Sequence, residues 1–381
     1  MKNLLKVLGL LSGAALLGGC GSDAAQVEEE LASMTLRDKV GMMFFVRPEA
    51  LDTDVYYDSP QDLANISLQE VNDRMRETAR NYPMGGVILF GHNIKDEAQL
   101  NRFITDLQQL SGRPLLGIDE EGGRVARIGR NPNFNVPKFP SAASLAAAGR
   151  TSDVENAANT IGKYLKSYGF DVDFAPVADV NTNPQNIVIG DRAFADNPRE
   201  AAPMVKAYLK GLQKAGVVGC LKHFPGHGDT QADTHFGYAM SRKKWDEIRD
   251  CEMIPFKAGI QAGAHMIMTA HISLPNVTGS NIPSTLSPLI LQDKLRNEMN
   301  FNGVIITDAM EMGAIIRQYS VEDASIMAIK AGVDMLLCVR EYPLVFNAVL
   351  NAVQRGEISE SRIDESVRRI LHLRHAAGLT R

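Results

Sequence analysis

Residues 222–237 read KHFPGHGDTQADTHFG and crowd three histidines, two aspartates and three glycines into sixteen positions. That much glycine is costly inside a helix or strand, and a core does not suit so many imidazoles, so the stretch is a polar loop equipped for chemistry. A phosphate cradle would need glycines leading into a helix N-terminus, commonly with a lysine behind them. Here Lys222 precedes the glycines, and ADTHFGYAM opens no convincing helix. A metal site could draw on His223, His227, His235, Asp229 and Asp233. Pro225 and Gly226 break the helical i, i+4 face that usually presents two imidazoles to zinc. Acid–base chemistry is the third reading. Asp233 and His235 stand two apart, so in an extended segment they point the same way. A carboxylate so placed fixes the imidazole tautomer and raises its pKa, as a general acid/base requires.

A second stretch, GVIITDAMEMGAI at 303–315, ends an apolar run on Asp308. That acid is either a helix N-cap or a carboxylate aimed into a pocket. Taken together, the two stretches supply a carboxylate nucleophile and an imidazole proton donor. These are the parts needed for glycosidic displacement through a covalent intermediate.

Such residues need a frame. Eight short apolar runs recur at 40–46, 85–90, 114–119, 172–180, 217–224, 265–271, 303–308 and 334–339, with near-continuous hydrophobicity that fits strands buried on both faces. Amphipathic stretches lie between most of them, such as DEAQLNRFITDLQQL and TSDVENAANTIGKYLKSYG, the latter closing on Gly169. Eight strand–helix alternations predict an α/β fold, a (β/α)8 TIM-type barrel forming a single domain from residue 34 to 381. An open doubly wound sheet is the alternative, but no G-x-G-x-x-G follows the first run. Polar residues collect where the runs end, at Asp119, Asp179, Lys222, His223, His271 and Asp308. In a barrel that end carries the active site, and five runs ending this way point to one shared pocket.

The chain has 381 residues, 45% of them hydrophobic, and a formal charge of −5, so no basic footprint for nucleic acid is present. MKNLLKVLGLLSGAALLGGC joins two lysines to an apolar stretch too short to span a bilayer, which reads as an export leader over residues 1–19. Its ending resembles a bacterial lipoprotein processing box, which would make Cys20 the lipidated first residue and residues 20–33 a polar tether. Cys220, Cys251 and Cys338 remain; an odd number with no C-x-x-C spacing argues against a disulfide framework or a zinc site.

At the residues quoted, the chain resembles the family 3 glycoside hydrolases, specifically the bacterial β-N-acetylglucosaminidases of peptidoglycan recycling. The likeness runs from about residue 34 to 377 and is carried by K-H-F-P-G-H-G followed by D-x-H. It implies Asp308 as nucleophile, His235 as general acid/base and Asp233 as its partner. It also implies Asp119 and Arg127 (in GIDEEGGRVARI), Arg192 (in NPQNIVIGDRAF), Lys222 and His223 as sugar contacts; Arg124 and Arg130 are left as solvated arginines. No metal and no cofactor are implied. The expected partners are an N-acetylglucosaminyl muropeptide substrate and, through a lipid on Cys20, a membrane, most simply the outer membrane on its periplasmic side. The chain stops after the barrel, so the site is expected to come from barrel loops, the one carrying His235 having Gly226, Gly228 and Gly237 as hinges. Three rival readings remain: a metal-dependent barrel hydrolase, a lipid-anchored sugar-binding protein, and a related β-glycosidase or phosphorylase that passes the sugar to phosphate.

Overall fold

The computed structural model describes residues 18–57, 62–233 and 238–379, with backbone alone at 18–23, 64, 231–233 and 238. Eight parallel strands run in chain order: β1 (Phe44–Val46), β2 (Gly86–Leu89), β3 (Leu115–Ile118), β4 (Val172–Asp173), β5 (Val218–Phe224), β6 (Met266–Thr269), β7 (Val304–Thr307) and β8 (Leu336–Leu337). Each pairs with its chain neighbour, and β1 also pairs with β8. The Ile306–Met335 bridge joins β7 to β8 and closes the ring. Helices α1 (Gly18–Ser33) and α2 (Leu36–Met42) precede it. Shorter helical segments aside, a main helix then follows each strand: α3 (Asp73–Asn81), α4 (Glu97–Gln108), α5 (Thr151–Tyr168), α6 (Pro198–Lys214), α7 (Met253–Gln261), α8 (Leu289–Glu298), α9 (Val321–Ala331) and α10 (Tyr342–Gln354). A last helix, α11 (Glu360–Ala376), ends the chain. The expected barrel is the fold.

Local signals set the boundaries. Asp96 caps α4 by accepting from the Gln99 N–H, and Gly169 ends α5 at φ 95°, a left-handed turn that costs glycine little. Inside the ring the Phe45 side chain needs space from its neighbours. A Cβ on Gly86 would lie 2.4 Å from that ring, and one on Gly117 2.8 Å. Phe174 meets Phe45 edge-on at 5.3 Å, so the centre is a packed core rather than a pore.

Regular pairing is shorter than the apolar runs suggest. The run at 172–180 pairs as β4 only to Asp173, because Pro176 has no N–H to give. The chain still tracks β5, with Cys220 N–H donating to Ala175 O at 2.8 Å and Ala178 N–H to Lys222 O at 2.6 Å. This places Asp179 beside His223. At β8 the run ends early because Cys338 adopts φ 49°.

The polar tether expected over 20–33 is corrected. This segment is helical, and Val27 and Leu31 are buried where α1 packs on α11. Glu28 pairs with Arg368 of α11. The apolar residues stand at i and i+4, so one face docks although the composition is polar. Residues 1–17 of the expected leader lie outside the described residues. Among the described residues no helix is long and apolar enough to cross a membrane. The three downstream cysteines are unpaired, Cys220 and Cys338 being buried and Cys251 partly so.

The N-terminal end of the barrel holds a buried charge. Asp334 is fully buried and accepts from Arg296 at 2.5 Å, the Ile305 N–H at 2.9 Å, Ser366 at 2.7 Å and Arg369 at 3.0 Å. Burial pushes the Arg296 guanidinium down to about 10, with the Asp334 charge working against it. Removing one partner of such a network strands the others without water. Asp334→Ala should therefore cost about 3–5 kcal/mol in chemical unfolding. The KM of the folded fraction should not change, since this cluster lies at the end of the barrel remote from the site.

Candidate active site

The C-terminal mouth of the barrel gathers the polar strand ends. Asp119 follows β3, and period-2 alternation turns Asp119 and Glu121 to one side and Glu120 to the other. Glu120 accepts backbone N–H groups from Arg127 (2.6 Å), Ile128 (3.0 Å) and Gly129 (2.7 Å), and the Tyr164 hydroxyl at 2.8 Å. That fastens the hairpin of Glu120–Gly122 and Val125–Ala126, and brings Arg127 back over Asp119.

The sugar contacts expected from the resemblance converge here. Lys222 Nζ lies 2.8 Å from Asp119 Oδ1 and 2.6 Å from Glu121 Oε1. Arg192 grips Glu121 in a fork, Nε to Oε2 at 2.9 Å and Nη2 to Oε1 at 2.8 Å. Arg127 Nη2 reaches Asp119 Oδ2 at 3.3 Å, and its buried Nε has no partner among the described residues. His223 Nδ1 is held by Asp179 Oδ2 at 2.7 Å, which turns Nε2 toward Arg192 at 3.4 Å. Three cations thus face two carboxylates in a clamp whose donors are aimed before any ligand arrives.

Electrostatics fix these charges. Burial would raise the Asp119 carboxyl, but Lys222 and Arg127 outweigh it and hold it below the usual range. Glu121 is lowered likewise against burial by Lys222 and Arg192, and Asp179 by His223. Burial would lower Lys222, yet Asp119 and Glu121 hold it above the ordinary ammonium range. Carboxyl groups depressed in the folded state stabilise it fully above the unfolded carboxylate pKa of about 4, and lose that contribution as pH falls below it. No clamp carboxylate or lysine titrates near neutrality. The KM for a small glycoside should therefore stay flat between about pH 5 and 8, with acid unfolding setting in only below about pH 4, as pH-dependent kinetics and circular dichroism would show.

Asp308 sits just past β7, its N–H on Thr269 O (3.0 Å) and its Oδ1 accepting the Ala309 N–H at 2.8 Å. Its charge reaches two imidazoles, the half-buried His227 and the buried His271. Burial lowers both, Asp179 chiefly opposing it at His227 and Asp308 at His271, so both are neutral at pH 7. The loop after β5 is anchored at its start. His227 N–H donates to Asp179 at 2.6 Å, and His227 Nδ1 meets the Thr230 hydroxyl at 2.8 Å. Asp229 turns to Ser241 (2.7 Å) and Lys243 (3.4 Å). Among the described residues no three His, Cys, Asp or Glu side chains converge as metal ligands. Asp233 ends a short strand, Gln231–Asp233, paired antiparallel with Tyr238–Met240. Its side chain and the whole of His235 lie outside the described residues.

The chain with this carboxylate and this charged clamp at one barrel mouth matches a known family over nearly its whole length. Residues 35–373 fit the model of the glycosyl hydrolase family 3 N-terminal domain. The chain belongs to glycosyl hydrolase family 3. It is 34% identical over 344 residues to beta-hexosaminidase A of Pseudoalteromonas piscicida, covering 83% of this chain and 57% of that one. It is 32% identical over 305 residues to a beta-hexosaminidase of Stenotrophomonas maltophilia, covering 79% and 89%. In structure it resembles a family 3 beta-N-acetylglucosaminidase from a Paenibacillus species, with a TM-score of 0.81, 33% identity, and coverage of 91% of this chain and 63% of that one. The chain thus spans less than two thirds of two of these three relatives.

Some roles in this family 3 site escaped the sequence reading. Glu121 joins the clamp, and the signal was present in its i, i+2 spacing from Asp119. Asp179 orients His223. Arg124, read as solvated, is exposed but donates to Ile187 O, Val188 O and Ile189 O at 2.8–3.0 Å, and so steadies the loop that delivers Arg192. Arg130 donates in turn to Arg124 O at 2.9 Å.

Proposed function

We propose that the chain is a retaining exo-β-N-acetylglucosaminidase that releases terminal N-acetylglucosamine from peptidoglycan fragments. The observation that carries this reading is the clamp of Asp119, Glu121, Arg127, Arg192 and Lys222 at the same barrel mouth where Asp308 follows β7. Hydroxyls and an acetamide are held best by charged hydrogen-bond partners in a desolvated pocket. The hexosaminidase and N-acetylglucosaminidase names of the relatives support the same sugar.

In the first step an Asp308 oxygen bonds to the anomeric carbon as the C1–O bond to the leaving sugar breaks. The departing electron pair takes the proton of imidazolium His235, which Asp233 steadies. In the second step neutral His235 accepts a proton from water, the water oxygen bonds to C1, and the ester to Asp308 is cleaved. The anomeric configuration is inverted twice and so retained. Turnover of p-nitrophenyl N-acetylglucosaminide, with the first-formed anomer read by NMR, tests this. β-anomer is expected, whereas α-anomer or no turnover counts against it. Equal rates in phosphate and in a non-nucleophilic buffer, without glycosyl phosphate, would separate hydrolysis from phosphorolysis.

The leader-like start supports an exported, lipid-anchored protein on the periplasmic side of the outer membrane. Cys20→Ala should move it from the membrane pellet to the soluble fraction, and unchanged fractionation would remove the anchor.

A further inference from the structure

His271, the polar end of the sixth apolar run, has no part in the clamp, yet its ring is bonded to the residue that follows Asp308. Asp308 is fixed at its backbone, its N–H donating to Thr269 O at 3.0 Å, and the Met310 N–H donates to Leu337 O at 2.9 Å. Ala309 lies between these two pinned residues and holds the carboxylate directly, its N–H donating to Asp308 Oδ1 at 2.8 Å. The Ala309 carbonyl oxygen is taken by His271 Nε2 at 3.0 Å. A carbonyl only accepts, so the proton of the neutral imidazole sits on Nε2 and Nδ1 is left bare. The Thr285 hydroxyl meets Nδ1 at 2.9 Å, and the Thr269 hydroxyl meets Thr285 Oγ1 at 2.8 Å. Thr285 would turn its proton to Ala270 O (3.0 Å) only if Nδ1 carried one. The donors therefore run one way, from Thr269 to Thr285 to His271 to Ala309 O. All three side chains are buried.

We propose that His271 is a positioning residue for the Asp308 nucleophile, holding the Ala309 peptide so that one carboxylate oxygen stays bound and the other is turned to the anomeric carbon; the inference rests on the glycosidase reading. Three observations separate this from a core histidine whose bonds are simply satisfied. The acceptor belongs to the residue whose own N–H binds the carboxylate, so a rotation of Ala309 away from His271 also takes that N–H off Asp308 Oδ1. Among the described residues this N–H is the one hydrogen bond to the Asp308 carboxylate, and its aim depends on it. Both ring nitrogens are occupied within the protein, so His271 hands no proton to a substrate and acts through Asp308. The frame behind the ring is rigid. The Ala270 N–H donates to Phe224 O and the Ser284 N–H to Ile272 O, each at 2.7 Å, which ties the His271 segment to β5 and to the turn that carries Thr285. A misplacement of about 1 Å in a reacting group can cost about 10²-fold in rate, so a contact one residue away from the nucleophile has a measurable effect.

Three variants test the assignment. His271→Phe keeps a ring and loses both bonds, His271→Gln keeps a side-chain N–H to donate, and Thr285→Val removes only the hydroxyl behind the ring. Each is assayed for kcat/KM on an activated aryl N-acetylglucosaminide and for inhibition by free N-acetylglucosamine, which reports binding in the clamp. His271→Phe should lower kcat/KM about 10²-fold and Thr285→Val about tenfold, with the inhibition constant within about twofold of wild type. His271→Gln should recover most of the loss, to within about tenfold of wild type. A kcat/KM within about threefold of wild type in His271→Phe, a glutamine variant no better than the phenylalanine one, or an inhibition constant that rises as far as kcat/KM falls would overturn the positioning role. Should His271→Phe not fold, Thr285→Val decides: a wild-type rate overturns the role, and a lower rate with unchanged inhibition supports it. A wild-type protein that turns over no N-acetylglucosaminide overturns the glycosidase reading and the role with it, whereas wild-type turnover with indifferent variants overturns the role alone.

Discussion

Asp308→Ala should lower kcat/KM on N-acetylglucosaminides by roughly 10⁴–10⁶-fold, the scale seen when a covalent nucleophile is removed. The fold should tolerate the change. One short side-chain bond is lost, from the Ala309 N–H to Oδ1, and the strand pairing of β7 is untouched. With no carboxylate to attack, the bound sugar waits in the clamp with its anomeric carbon facing a small space. Added azide should enter that space and produce the α-glycosyl azide from an activated aryl glycoside. A variant that keeps more than about a tenth of wild-type activity would strip Asp308 of this role.

His235→Ala should show the second-largest effect, and one that depends on the substrate. A sugar alkoxide cannot leave unprotonated, whereas a phenolate whose conjugate acid has a pKa of about 7 can. General acid help is worth roughly 10²–10⁴-fold, so disaccharide cleavage should fall by that much while glycosylation by an activated aryl glycoside survives. Release of the sugar then becomes slow, a burst of phenolate appears, and azide restores turnover by attacking the ester. The product anomer separates the two variants: β-azide from His235→Ala, α-azide from Asp308→Ala. Were His235 a metal ligand, all substrates would suffer alike and azide would not help. A surface histidine would leave every rate unchanged.

The barrel was legible because its strands are buried on both faces and so appear as eight apolar runs, five of them closing on a polar residue at the mouth. Asp119, Lys222, His223 and Asp308 could be found from that alone. Arg192 could be placed only through the resemblance, because its position depends on a loop held from outside. Arg124 grips residues 187–189, and Asn186 bonds to His227 O at 2.7 Å, contacts that no local periodicity encodes. Glu121 was hidden by its neighbours, since in a run of three acids only the alternation of an extended chain tells which carboxylates share a face. The docking of α1 was missed for a similar reason: two apolar residues one turn apart suffice to bury a face that averages as polar.

Trapping the intermediate tests the central claim most directly. A slow-turnover fluorinated N-acetylglucosaminyl fluoride, followed by proteolysis and mass analysis, should place one sugar on the peptide that contains Asp308. The label should be lost slowly on dilution and appear as product with retained configuration. A label on Asp119, Glu120 or Glu121, or no label together with inverted product, would contradict a mechanism built on Asp308.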